Sequence, residues 1–382
     1  MSNSLFTQLY KINKWAYRYY TKKEPVVPEK KVAWISSFVP VELLEALDMA
    51  YIYPESYAAV ISASGKEQAC LEAARASGLS LDCCSYSGCF MGCLLLQQGP
   101  RGMPPQPDIL IASSNQCNTL PNWWNLMAEQ LGVPLCILDY PGETNAGTGT
   151  RAYIEQQHRS LIHTLEALCG TKFQEAALEK LLAVSSENVS LWKRIVALLP
   201  EYDIPAGLLF DYMAPLIIAR CRTDTTVFFK ILKEALQGHY VPEAAQTEQP
   251  KRLYWAGYPF WYHPDRCINI EGARIVGANY VNWWNLDYSG DTLWETLYRA
   301  YNFTVLNQTG ETRTAQLLED LRRTRAEAVF INHNKSCKRD FTSLRVSDCP
   351  LPYGVIESDM IDRTFLDRNA VQERLQLLVS ML

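Results

Sequence analysis

The stretch DILIASSNQCNTLPNWWNLMAEQLGVPLCILD, residues 108–139, decides the fold. It opens on the apolar run Asp108-Ile-Leu-Ile-Ala112 and passes through a polar segment to Cys117. It then reads as a helix over 121–131 and returns to a second apolar run, Pro134-Leu-Cys-Ile-Leu-Asp139. Short apolar runs bounded by turn residues are buried strands, and strand, helix and strand at this spacing make a parallel pair with a crossover helix.

The same rhythm extends both ways. Upstream, Val32-Ala-Trp-Ile-Ser-Ser-Phe-Val39 reads as a buried strand, Pro40 opens a helix over Val41–Met49, and 66–77 is helical. Downstream, 151–238 is helical throughout, with turns near Gly170, Pro200 and Pro205. Strands then resume at Arg252-Leu-Tyr-Trp-Ala256, Ala328-Val-Phe-Ile-Asn332 and Tyr353-Gly-Val-Ile-Glu357, with helices over 311–325 and 365–382. The expected fold is α/β, two Rossmann-like lobes with parallel sheets joined by a helical section. Its parts are an N-terminal helix (3–22) and linker in 1–30, a first lobe over 31–150, the helical section over 151–250 and a second lobe over 251–382. Asn122-Trp-Trp-Asn-Leu126 returns as Asn282-Trp-Trp-Asn-Leu286. The pair marks either matching positions in two related lobes or aromatic core packing.

Composition excludes several classes. The 382 residues carry 36 Lys and Arg against 41 Asp and Glu, a net charge of -5, which argues against a nucleic-acid binder with a broad basic surface. No run approaches the roughly 18 apolar residues of a transmembrane helix. The N-terminus has charges and tyrosines where a signal peptide needs an apolar core. A cytoplasmic, non-membrane protein is expected.

Twelve cysteines are then a surplus, because a reducing compartment disfavours disulfides. Ligands collect beyond the carboxyl ends of strands in open parallel sheets. Cys117 and Cys337 each follow a strand at that end, in polar segments, and Cys84 lies in Asp82-Cys-Cys-Ser-Tyr-Ser-Gly-Cys89. Three such thiolates converging at one sheet edge would make a cluster site; on position alone, ligand and core roles both stay open. Cys70, Cys136, Cys169 and Cys221 fall on strand or helix patterns and read as core or helix-end residues, and Cys89 and Cys93 share an apolar helix face. No C-x₂-C or Cys-His pairing at zinc spacing occurs. P-loop, G-x-G-x-x-G and G-x-S-x-G motifs are absent as well, so any ATP-derived energy must be handled by another protein.

These segments together resemble the 2-hydroxyacyl-CoA dehydratase family, which includes the 2-hydroxyglutaryl-CoA dehydratase D-component and subunits of ATP-dependent benzoyl-CoA reductase. The resemblance covers nearly the whole chain. It runs through Trp34-Ile-Ser-Ser-Phe-Val-Pro-Val-Glu-Leu-Leu-Glu-Ala46, Cys84, Ser113-Ser-Asn-Gln-Cys-Asn-Thr119 with Trp123-Trp124, Val133–Asp139, Asn332-His-Asn-Lys-Ser-Cys-Lys338 and Gly354–Arg363. Two departures stand out. Cys83-Cys84 occurs where one cysteine is usual, and Cys84 is chosen for its spacing to Cys89. Glu357-Ser-Asp359 replaces the common Glu-Gly-Asp.

The resemblance implies a [4Fe-4S] cluster on Cys84, Cys117 and Cys337, with one iron left open. It implies a related second subunit, a heterodimer being usual, and a separate ATP-hydrolysing iron–sulfur activator that injects one electron. The reaction it implies removes water from an (R)-2-hydroxyacyl-CoA to give the (E)-2-enoyl-CoA, through a ketyl radical anion. Its alternatives are a benzoyl-CoA-type reductase subunit or a non-catalytic iron–sulfur carrier. Ser36 and Ser37 are candidates to bond the thioester oxygen. His333 is a candidate donor or proton shuttle beside Cys337, against a structural histidine. Glu42 and Glu45 lie either near the site or in capping or solvated positions. Trp123 and Trp124 read as core or as walls for an acyl chain, and Arg363 as a CoA phosphate contact or a surface ion pair. Cys83, Cys89 and Cys93 stay open as further ligands.

Overall fold

The computed structural model describes residues 30–80, 82–100, 102–242, 250–268, 270–337 and 349–382. The expected helix over 3–22, nearly all of the linker after it and residues 243–249 lie outside them. Two four-stranded, all-parallel sheets carry the fold. The first is built from β1 (Val32–Ile35), β2 (Ala50–Ile52), β3 (Ile109–Ser113) and β4 (Leu135–Leu138), in the order β2-β1-β3-β4. The second repeats that order, β6-β5-β7-β8, from β5 (Lys251–Gly257), β6 (Ala273–Ala278), β7 (Ala328–Asn334) and β8 (Tyr353–Ser358). Every residue of β1 and β3 is buried, as expected of strands covered by helices on both faces.

Helices of the first lobe are α1 (Val41–Glu45), α2 (Pro54–Ala63), α3 (Glu67–Ala76), α4 (Ser85–Leu96) and α5 (Thr119–Leu131). The helical section comprises α6 (Thr148–Cys169), α7 (Glu175–Val196), α8 (Ala206–Tyr212), α9 (Ala214–Ile218) and α10 (Thr223–His239). The second lobe adds α11 (Leu293–Asn302), α12 (Gly310–Thr324) and α13 (Arg368–Ser380). Helices α3 and α4 pack backbone to backbone: a Cβ on Gly92 would lie 1.7 Å from the Cys70 carbonyl oxygen. Only glycine permits that approach.

Several elements depart from the sequence reading. The strand expected to reach Val39 ends at Ile35, where the Ser36 carbonyl accepts from Val39 N in a turn. The helix expected to reach Met49 stops at Glu45, and Ala50–Ile52 is instead the edge strand β2, followed by α2. Strand β6 and helix α11 were likewise absent from the reading. The Trp-Trp echo does not mark matching positions. Asn122–Leu126 lies in α5, after the third strand of its lobe, whereas Asn282–Leu286 follows β6, the counterpart of β2. Ser358 is not among the positive-φ residues, so the turn of Glu357-Ser-Asp359 forms without glycine. The Asp359 carboxylate builds that turn by accepting from Ile361 N and Asp362 N, both at 2.8 Å.

Polar ties join the lobes. Ser62 Oγ donates to the Ile361 carbonyl at 2.8 Å, and Arg75 pairs with Asp362 at 3.1 Å. Asn115, just after β3, donates to the Tyr301 carbonyl at 2.7 Å and accepts from Thr304 Oγ1 at 2.9 Å. These bonds bring the carboxyl ends of β1, β3, β5 and β7 toward a common space. No described helix is long and apolar enough to cross a membrane.

Candidate functional site

That space is a cavity of about 200 Å³ lined by Cys84, Cys117 and Cys337 together with Ser37, Glu55, Gln116 and Tyr258. Cys84 immediately precedes α4, Cys117 sits between β3 and α5, and Cys337 lies three residues beyond β7. Cys117 and Cys337 therefore leave the third strand of their respective sheets. The residues behind the cysteines are tied across the lobes, Ser85 Oγ to Ser336 Oγ at 2.9 Å. Asn334 Oδ1 accepts from Cys337 N at 2.9 Å and fixes the last turn before the sulfur. Tyr258 Oη lies 3.4 Å from Cys337 Sγ.

Burial pushes the Cys84 thiol well above its usual range, and the nearby Cys117 and Cys337 push it further. The amides of Ser87 and Tyr86, in the first turn of α4, work in the opposite direction. Burial likewise raises Cys117, against the amides of Leu120 and Thr119 at the start of α5. Left to themselves these thiols hold their protons, whereas a coordinated metal deprotonates a thiol outright. The donor set is thus three soft sulfurs with helix-terminal N–H groups aimed at two of them, in a partly apolar enclosure. No group of three or more His, Cys, Asp or Glu among the described residues is placed to hold a single metal ion. A cluster takes one thiolate per iron and spreads its ligands by its own dimensions, so these residues fit a cluster better than a lone ion.

The other candidates separate on their contacts. Ser37 lines the cavity, with its N–H at 2.8 Å and its Oγ at 2.9 Å both donating to Glu55 Oε2. Ser36 does not line it. Its Oγ accepts from Ser113 N at 3.0 Å and lies 3.0 Å from Ser113 Oγ, locking β1 to β3 in the core. His333 is half-buried on β7 and is not part of the lining. Cys83 lines a separate cleft with Arg75, Asp82 and Lys335, and Cys89 and Cys93 are buried away from the cavity beside Cys70. Trp123 lines the cavity and Trp124 does not, their rings meeting at 4.7 Å and 72°. Arg363 is committed to Glu67, with Nη2 at 3.2 Å from Oε2, so the ion-pair reading holds for that contact. Glu42 neither caps nor faces solvent: it is fully buried, away from the cavity. Glu45 accepts from Tyr51 Oη at 2.9 Å.

Glu55 was missed by the sequence reading. It is the second residue of α2, entered through Pro54 directly after β2. Besides Ser37, Gln116 Nε2 donates to its other oxygen at 3.1 Å. Burial raises its pKa, and the bonds from Ser37 and Gln116 oppose the rise without cancelling it. The usable signal was an acid at the carboxyl end of a strand, invisible while that strand went unrecognised.

The sequence profile described as 2-hydroxyglutaryl-CoA dehydratase, D-component, matches residues 36–382. The chain belongs to that family. It is an enzyme subunit of the dehydratase family, and three of its relatives each match 90% or more of its length. It is 28% identical over 371 residues to the (R)-2-hydroxyisocaproyl-CoA dehydratase alpha subunit of Clostridioides difficile, covering 92% of this chain and 90% of that one. It is 27% identical over 384 residues to the lactoyl-CoA dehydratase alpha subunit of Anaerotignum propionicum, with the same coverages. A subunit of the benzoyl-CoA reductase of Thauera aromatica is 24% identical over 383 residues, with 90% and 87% covered.

Proposed function

We propose that this chain is the iron–sulfur subunit of a radical (R)-2-hydroxyacyl-CoA dehydratase, holding a [4Fe-4S] cluster on Cys84, Cys117 and Cys337. The observation that carries this reading is the convergence of those three cysteines, from three separate segments, on one cavity. A cluster bound there would supply a low-potential electron to the thioester. An activator that hydrolyses ATP would deliver that electron, since the chain has no P-loop. A related second subunit completes the enzyme, in keeping with relatives named as alpha subunits.

The chain's own residues do the rest. The apolar wall excludes water from a radical intermediate, which water would otherwise quench or protonate. Ser37 and Gln116 hold the Glu55 carboxyl in one orientation with both oxygens engaged. Its raised pKa keeps a proton on Glu55 above the ordinary carboxylate range, so it can give that proton to the departing 2-hydroxyl as the C–O bond breaks. Once ionised, the same carboxylate can accept a proton from the acidified β-carbon. Ser37 acts here by orienting Glu55, since its hydroxyl hydrogen is spent on that carboxylate.

Anaerobic purification, followed by iron and sulfide analysis and assay with an ATP-dependent activator, tests the reading. About four irons and four sulfides per chain are expected, with enoyl-CoA formed from a 2-hydroxyacyl-CoA. A chain without iron after anaerobic reconstitution defeats it. Similarity to the Thauera reductase makes reduction of an aromatic acyl-CoA the second reading. That substrate belongs in the same assay.

A further inference from the structure

The walls of the cavity carry information about the acyl group. Beyond the three cysteines its lining is dominated by the rings of Phe38, Trp123, Phe210, Trp261, Trp283 and Trp284, with aliphatic side chains between them. These rings come from all three parts of the chain, so the apolar surface is continuous across the lobes and the helical section. Its charged residues, among those described, are Glu55, Asp211 and Arg266. Arg266 is already engaged: its Nε donates to Asp211 Oδ1 at 2.8 Å, and its Nη1 donates to the carbonyls of Trp261 and His263. The guanidinium and Asp211 cancel, and Glu55 is held by Ser37 and Gln116. With Glu55 protonated, as its proposed role requires, the lining carries no net formal charge.

An acyl chain ending in a carboxylate would meet there one cation, whose charge Asp211 already offsets. It would lose its water in a ring-lined enclosure that offers no net positive charge, which is a costly way to bury a carboxylate. A branched or aryl chain meets the reverse situation, because each carbon leaves water for a ring face or a methyl. A methyl-sized chain would leave most of the wall unused.

We propose that this cavity selects an uncharged apolar 2-hydroxyacyl group, branched alkyl or arylmethyl, over one bearing a terminal carboxylate and over a methyl-sized one. The selection rests on the acyl-CoA reading given above. Val60, a half-buried wall residue on α2, and Arg266, whose charge Asp211 offsets, are its determinants on the lining.

Equilibrium binding to the anaerobically purified full chain, with whatever partner co-purifies, tests this without turnover. The probes are the (R)-2-hydroxy-4-methylpentanoyl, (R)-2-hydroxy-3-phenylpropanoyl, (R)-2-hydroxyglutaryl and (R)-2-hydroxypropanoyl thioesters of CoA, with free CoA as reference. The two apolar thioesters are expected to bind at least 100-fold more tightly than the glutaryl thioester and about tenfold more tightly than the propanoyl one. In a Val60→Arg chain with unchanged circular dichroism and unchanged free-CoA affinity, the preference against the glutaryl thioester should fall at least tenfold. Equal or tighter glutaryl binding by the native chain overturns the selection while the acyl-CoA reading stands. A ratio that does not move in the folded Val60→Arg chain overturns the assignment to this wall. If no thioester binds better than free CoA, the acyl-CoA reading itself falls, and the selection with it.

Discussion

The Arg220 guanidinium and the Glu42 carboxylate lie 3.8 Å apart, with side-chain exposures of 1% and 0%. Their bonds reach all three parts of the molecule, and Tyr301 bridges the two groups, its Oη donating to Glu42 Oε2. Arg220 Nη2 donates to the Val39 carbonyl of the first lobe at 2.8 Å, and its Nε donates to Tyr301 Oη of the second at 3.1 Å. Glu42 accepts from Ser185 Oγ of the helical section at 2.6 Å and from Tyr288 Oη at 2.8 Å. The pair sits where all three units meet.

Breaking such a pair from one side strands the other charge. Arg220→Met should therefore destabilise the fold by about 3–5 kcal/mol, measured by urea unfolding. The double variant with Glu42→Gln should lose less than the two single losses added together. Additive losses would mean that the two groups do not interact.

The three cysteines should behave alike toward iron. Cys84→Ser, Cys117→Ser and Cys337→Ser should each lose most of the iron of the anaerobic protein. Cys136→Ser, in the half-exposed edge strand β4, should keep it. Full iron retention by the Cys117 variant would remove that residue from the ligand set.

At Glu55, exchange for Gln preserves shape and removes the proton. Turnover should drop by roughly 10²-fold or more with the fold intact by circular dichroism. In the native enzyme, activity should decline as pH rises through the raised Glu55 pKa, because the proton it donates is lost there. That limb should vanish in the Gln variant. Its persistence would assign it to another group.

His158 is buried, with its Nε2 2.8 Å from Tyr140 Oη, and burial lowers its pKa from 6.5 to about 3. The native state holds it neutral while the unfolded chain takes up a proton below pH 6.5. Its contribution is full above pH 6.5 and fades as pH falls toward 3, by about 1.4 kcal/mol per unit. Unfolding free energies from urea titrations at pH 7 and pH 5.5 should differ by about 1 kcal/mol more in the native chain than in His158→Phe. Equal differences would rule out this histidine as the source.

The interior strands were legible because burial on both faces makes them nearly continuous apolar runs, as in Val32–Ile35 and Ala328–Asn334. Both missed strands are edges, β2 and β6. Ala50–Ile52 has three residues, too few to show a period, and Ala273–Ala278 carries Arg274, whose Nη1 reaches the Leu199 and Tyr202 carbonyls. A buried arginine that satisfies helix-end carbonyls reads as surface in any local window. Missing β2 hid Glu55, because an acid gains meaning at a strand's end only when the strand is known. Cys117 and Cys337 were legible for the converse reason, since their strands were plain. Ser36 and Ser37 are adjacent, and only the end of β1 at Ile35 decides which of them faces the core and which the cavity.

The matching strand orders have a consequence for the shape of the donor set. A frame that repeats itself supplies equivalent positions in pairs, and Cys117 and Cys337 are such a pair, each after its lobe's third strand. Cys84 has no twin. Between β2 and β3 it heads a helix, whereas the corresponding stretch after β6 presents the rings of Tyr280, Trp283 and Trp284 to the same cavity. The two lobes thus differ at the cavity they share, with a cysteine on one side and indoles on the other. The repeat of the sheets therefore does not extend to the side chains that line the cavity, and the two lobes are not interchangeable around it.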